Sequence, residues 1–214
     1  MVRASVVIPT VSTREQMRRR AVASAEQQTV PVDVIVVEDV GFTGEFRQGG
    51  AAETRNRGLE QVETEWVTFL DDDDQLYPQH VERCLALADE TDADLVYPWW
   101  DGANEDLFRV MHEGKLRTPE GLPFDETMKS MLLGDYDWAE GRDAGNFIPV
   151  TVVVKAKLMK QVGGFPVPGS DDWPHRNGED HGLWIRLLRA GARFVHLPER
   201  TWKYNLHGAH LSGA

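Results

Sequence analysis

Four consecutive aspartates, Asp71, Asp72, Asp73 and Asp74, directly follow the apolar run 66–70. Adjacent carboxylates repel one another, and neither helix nor sheet geometry satisfies four of them side by side. A divalent cation among them resolves the conflict, since hard cations take oxygen ligands and neutralise such a cluster. The alternative is a solvated acidic turn in which Asp74 caps a helix beginning near Pro78. A calcium loop of the EF-hand type is disfavoured. Asp71, Asp73 and Glu82 fit its first, third and last positions, but Leu76 replaces the required glycine and Pro78 interrupts the loop.

A second pair of carboxylates, Glu179 and Asp180, follows Gly178 and opens a segment in which Leu183, Trp184, Leu187 and Leu188 recur with helical spacing. The helix dipole and free backbone N–H groups favour a carboxylate there. The pair therefore reads either as a cap or as a general base held ionised by that field. Trp184 would roof such a site or fill the core. His207 is a candidate ligand for a metal short of donors, with His175, His181 and His210 as competitors.

The elements that must position these groups alternate in period. Residues 5–8 form a β-rich run ended by Pro9, and Ser12 with Glu15 has capping-box spacing ahead of a helix to about Gln28. Residues 34–37 form a second continuous apolar run, the pattern of a strand buried on both faces. A Gly-rich connection leads to a helix over 51–62, and 66–70 forms a third strand. Val81, Cys84, Leu85 and Ala88 mark a helix, and 94–97 a fourth strand. Pattern dissolves over 99–147 except for a helix-like piece at 126–133. It returns as a strand at 150–154, a helix at 155–162 ended by Gly163-Gly164, the helix of Leu183 closed by Gly191, and an extended tail over 194–206. Strand–helix alternation of this length predicts a single α/β domain with a mainly parallel, Rossmann-like sheet flanked by helices. The cluster at Asp71 then falls at the carboxyl end of a strand, where open parallel sheets gather ligands.

Composition narrows the class. The 214 residues carry a formal net charge of −12, which disfavours a nucleic-acid footprint, and Arg18-Arg19-Arg20 reads as a solvated face. The single cysteine excludes an intrachain disulfide framework and fits a reducing compartment. No stretch approaches the roughly 18 apolar residues that span a bilayer. The expectation is a soluble, cytoplasmic protein with no transmembrane segment, free or peripheral to a membrane. Phosphate-binding P-loop, dinucleotide, serine-hydrolase and zincin signatures are all missing.

Taken in order, Val6-Val7-Ile8-Pro9-Thr10, Val36-Val37-Glu38-Asp39, Thr54-Arg55-Asn56-Arg57-Gly58-Leu59, Phe69-Leu70 with the four aspartates, Val162-Gly163-Gly164-Phe165 and Gly178-Glu179-Asp180-His181-Gly182-Leu183-Trp184 resemble family 2 glycosyltransferases of the GT-A fold. The resemblance leaves about 99–147 unmatched. Val40-Gly41-Phe42-Thr43-Gly44 also departs from the Asp-Gly-Ser usual after the second strand. It implies that Pro9 and Thr10 line a nucleotide-base pocket, that Asp39 accepts from the base imide, and that Arg55 reaches the base or phosphates. It further implies that Asp72 holds ribose hydroxyls and that Asp73, supported by Asp71, binds Mn²⁺ or Mg²⁺ on the diphosphate. Asp180, in preference to Glu179, is implied as the base of an inverting transfer, and His207 as a further metal ligand. Residues 1–98 would then bind a nucleoside diphosphate-sugar, UDP being the commonest base, and 99–214 a carbohydrate or other hydroxyl acceptor. Trp99, Trp100, Trp138, Asp171, Asp172 and Trp173 are the residue types that suit a sugar. With the chain ending at Ala214, single transfer is expected rather than processive synthesis. The rivals are a sugar nucleotidyltransferase, a metal-dependent phosphohydrolase and an inactive sugar-binding module.

Overall fold

Strand β1 (Ala4–Thr10) is buried on both faces because helices cover the sheet on each side. Val7 points into one apolar layer, Val6 and Ile8 into the other. The computed structural model describes residues 2–43, 50–102, 148–171 and 178–205, and the helix-like piece at 126–133 lies outside them.

Val7's layer receives Ala52 and Leu59 from α2 (Gly50–Gln61), Met159 from α4 (Ala156–Gln161), and Leu183, Trp184 and Leu187 from α5 (Glu179–Arg189). The opposite layer receives Ala21 and Ala25 from α1 (Glu15–Glu26) and Val81, Cys84 and Ala88 from α3 (His80–Thr91). Each large apolar side chain so buried contributes about 1.5–3 kcal/mol relative to exposure. Between the layers lies one sheet of β2 (Val32–Glu38), β1, β3 (Trp66–Phe69), β6 (Val153–Lys155), β5 (Leu95–Asp101), β7 (Phe194–Lys203) and β4 (Gln75–Leu76), in that order. The β1–β2, β1–β3 and β5–β7 pairings are parallel, whereas β6 and the two-residue β4 run against their neighbours. The sheet is thus mixed but mostly parallel, the expected α/β architecture.

Three local expectations change. The 34–37 run is not buried on both faces: β2 is an edge strand, and Val36 is 42% exposed. Its apolar composition cannot reveal an edge position, because that depends on strand order. Ser12 and Glu15 form no capping box. Ser12–Arg14 makes a 3₁₀ turn without a side-chain cap, and this turn directs Arg14 toward the aspartates. Nor does Asp74 cap α3, which starts after Gln79.

The helix ends behave as expected. Gly163 and Gly164 take φ of 83° and 67°, and their N–H groups donate to the Lys160 and Met159 carbonyls at 3.2 and 2.9 Å. That paired arrangement closes α4 at low conformational cost because glycine has no Cβ. Gly58 has a packing role instead. A Cβ there would lie 2.3 Å from Val7 Cγ1, so only glycine lets α2 approach β1 this closely.

Candidate active site

The carboxyl ends of the parallel strands β1, β2 and β3 converge. At the ends of β1 and β2, the Asp39 N–H donates to the Thr10 carbonyl at 2.8 Å, and Asp39 Oδ1 accepts the Gly41 N–H at 2.9 Å. Pro9, Thr10 and Asp39 therefore stand together, with Thr10 and Asp39 buried.

After β3 the four aspartates form a tight turn, closed by the Asp74 N–H on the Asp71 carbonyl at 3.0 Å. The turn splits their side chains. Asp72 points toward β1, where its Oδ2 accepts from Thr10 Oγ1 at 2.7 Å and its Oδ1 from Arg14 at 2.9 Å. The same Arg14 nitrogen reaches Asp73 Oδ2 at 3.1 Å. Asp71, Asp73 and Asp74 each present an oxygen to a common region, all within 4.8 Å of one another. Two unit charges at that spacing repel by roughly 3.5 kcal/mol for an effective dielectric of about 20.

Burial and this crowding move Asp74 and Asp72 upward. The Asp74 carboxyl is pushed up to about 8, first by burial and then by Asp71, against the opposing Asn205 N–H that donates to its Oδ1 at 2.9 Å. Burial also raises Asp72, opposed by Thr10 and Arg14. An all-oxygen set of three converging carboxylates, one of them buried and costly to ionise, fits a hard divalent cation.

Arg55 connects this turn to the second pair of acids. It is 6% exposed, donating from NH2 to Asp71 Oδ1 at 2.6 Å and from NH1 to Glu179 Oε1 at 2.5 Å. Burial opposes its charge, but Asp71, Glu179 and Asp180 outweigh this and hold it protonated. Glu179 and Asp180 form the first turn of α5 behind Gly178, whose φ of 96° excludes most other residues. A Cβ on Gly178 would also lie 3.0 Å from Asp180 Oδ1, which accepts the His181 N–H at 2.8 Å.

Other expected residues fall elsewhere. Trp184 is fully buried and its indole N–H donates to the Ile148 carbonyl at 3.0 Å, so it fills the core rather than facing an open surface. Trp100 is buried against Trp202, whereas Trp99 is half-buried and meets His196 edge-on. His207, His175, His210, Trp138, Asp172 and Trp173 lie outside the described residues.

The sequence reads Asp74 as one of four acids around a cation or as a cap, with no ligand role of its own, and it gives two further groups no role at all. Arg14 carries no signal beyond a basic residue after the first strand. Asn205 ties the end of β7 to the cluster, its backbone N–H on Asp74 and its Nδ2 on the Asp73 carbonyl at 2.8 Å.

Known proteins are similar to this chain in sequence and in fold. Residues 5–137 match the family described as Glycosyl transferase family 2. TuaG of Bacillus subtilis (strain 168), a glycosyltransferase named for a provisional role in teichuronic acid biosynthesis, is 22% identical over 94% of this chain and 78% of its own length. In fold, the chain superposes on a crystal structure of S. aureus TarS in complex with UDP-GlcNAc with a TM-score of 0.71 at 19% identity, covering 100% of this chain and 61% of that one. It also superposes on the mannosyltransferase PcManGT from Pyrobaculum calidifontis, in complex with GDP-Man and Mn²⁺, with a TM-score of 0.60 at 14% identity, covering 94% of this chain and 56% of that one. The expected GT-A fold is the one these transferases share. With the motifs in order along the chain and the acids gathered at the carboxyl ends of the strands, the protein belongs to glycosyl transferase family 2, a family of transferase enzymes.

Proposed function

We propose that the protein transfers a sugar, with inversion, from a nucleoside diphosphate-sugar, UDP being the first choice, to an acceptor hydroxyl with the help of Mn²⁺ or Mg²⁺. The observation that carries this is the convergence of Asp71, Asp73 and Asp74 at the strand ends, linked through Arg55 to Glu179 beside Asp180. The fold's likeness to transferases crystallised with UDP-GlcNAc and with GDP-Man and Mn²⁺ supports the donor class.

Within this reading, residues 1–98 bind the donor and 99–214 hold the acceptor and the base. Pro9, Thr10 and Asp39 line the pocket for the nucleotide base. Asp72 keeps lone pairs for ribose hydroxyls beside its bonds to Thr10 and Arg14. Asp73 is the principal cation ligand, with Asp71 and Asp74 beside it and His207 as a further donor. A bound divalent ion would offset charge on the departing diphosphate. Asp180, kept ionised by the N-terminus of α5, takes the proton of the attacking hydroxyl, whose oxygen bonds to the anomeric carbon as the diphosphate leaves from the opposite face.

Thermal shift with UDP and GDP, each with and without Mn²⁺, tests the donor reading. Stabilisation is expected only with metal present, and no response to either nucleotide would refute it. Asp180→Asn should retain that metal-dependent binding and lose transfer. Full activity in this variant would remove Asp180 from the base role.

A further inference from the structure

Arg55 joins acids from distant parts of the chain, since Asp71 lies 16 residues away in sequence and Glu179 lies 124 away. Its guanidinium is fixed from other directions too. Its Cζ stands 5.6 Å from the centroid of the Phe165 ring. The neighbouring Asn56 holds Phe165 in turn: its Nδ2 donates to the Phe165 carbonyl and its Oδ1 accepts the Phe165 N–H, each at 2.9 Å. On the other flank, Gly58 seats α2 tightly against Val7, so the helix carrying Arg55 has little freedom to shift.

This arrangement suits a spacer better than a mobile ligand for an incoming donor. Both terminal nitrogens already bind carboxylates of the protein. Glu179 and Asp180 share the first turn of α5, so holding Glu179 anchors the backbone turn that carries Asp180. Asp71 belongs to the group of converging acids.

We propose that Arg55 is a positioning residue for transfer, whose forked guanidinium sets the separation between Asp71 at the cation-binding edge and Asp180 at the base position by holding Glu179. The proposal rests on the sugar-transfer reading above. It also gives Arg55 a different task from contact with the base or phosphates of the donor. Lysine keeps the charge but cannot hold two carboxylates in one plane, so it does not replace arginine here. Transfer requires the acceptor oxygen, the anomeric carbon and the base in line, and a displacement of about 1 Å lowers the rate by about a hundredfold.

The test compares wild type, Arg55→Lys, Glu179→Gln and the double variant in three measurements. These are calorimetric binding of UDP with Mn²⁺, Mn²⁺-dependent release of UDP from a UDP-sugar, and thermal unfolding without metal. Each single variant should bind UDP within about threefold of wild type and keep its donor KM, while kcat falls about tenfold or more. The double variant should be no worse than the poorer single one, and the Tm losses of the metal-free proteins should likewise be less than additive. A donor Kd or KM raised tenfold with kcat unchanged would show that Arg55 serves the donor directly and overturn the proposal. Wild type that binds neither UDP nor GDP would overturn the transfer reading. Additive Tm losses would overturn the Arg55 link whatever donor the protein uses.

Discussion

Acidification below pH 6.5 should destabilise this protein through two histidines that lie outside the acidic site. His80 is fully buried at the start of α3, with Nδ1 hydrogen-bonded to Thr201 Oγ1 at 2.8 Å, and burial lowers its pKa to about 3. His196, stacked on Tyr97 and meeting Trp99 edge-on, is lowered by burial to about 4. Their unfolded values stand near 6.5, so between that pH and the folded values only the unfolded chain takes up the proton. The stability held with both rings neutral is complete above pH 6.5 and declines as pH falls toward 4, by about 1.4 kcal/mol per unit for each ring. At pH 5 the loss is about 2 kcal/mol per histidine, or about 4 together, a large share of the roughly 5–15 kcal/mol typical of a domain.

Urea unfolding of wild type and His80→Asn at pH 7, 6 and 5 isolates one ring, because carboxylate contributions common to both proteins cancel. Asparagine can place a polar atom near that of Nδ1 and does not titrate. The advantage of wild type over the variant should therefore shrink by about 2 kcal/mol between pH 7 and pH 5. A difference independent of pH would refute the argument, since it would mean that His80 titrates equally in both states. The result also bears on function. A fall in activity below pH 6 reports on the site only if the protein is still folded at that pH.

Two further outcomes follow from packing and charge. Gly58→Ala places a methyl 2.3 Å from Val7 Cγ1 and 3.3 Å from Val37 Cγ2, and should cost about 1–3 kcal/mol, measured as a Tm lower by about 2–4 °C per kcal/mol. An unchanged Tm would mean that α2 shifts freely on the sheet. Asp74→Asn keeps an acceptor for the Asn205 N–H and removes a buried acid that is costly to ionise in the folded state. Without metal its Tm should rise, while Mn²⁺ affinity by calorimetry should fall tenfold or more. Unchanged Mn²⁺ affinity would remove Asp74 from the cation site.

Much of the framework was legible because it is written in short-range pattern. The buried run of β1, the apolar stripe of α5 and the Gly163-Gly164 stop depend on residues close in sequence, and each formed where expected. Strand order does not leave such a trace. Val34 to Val37 read the same at an edge as in the centre, and nothing local records that β6 enters antiparallel between β3 and β5. The site divides along the same line. Asp71, Asp72 and Asp73 announce themselves by adjacency, as do Glu179 and Asp180 by their place before a helix. Arg14 and Asn205 matter only because the fold brings them across 58 and 131 residues to the aspartates.

That distinction explains how a folded chain can hold four adjacent acids side by side. The fold does not treat them alike. Asp71 faces Arg55, Asp72 and Asp73 share Arg14, and Asp74 receives a backbone N–H. The partners come from α2, the 3₁₀ turn and the end of β7, so compensating the acids also clamps separate elements around the strand ends. The uneven compensation leaves the strongest demand for positive charge at Asp74, the most deeply buried acid of the converging three. The net charge of −12 is therefore a poor guide to how the protein would meet the anionic donor proposed above. The deciding quantity is local: two arginines already committed to acids, and a converging carboxylate set whose repulsion a divalent ion would relieve.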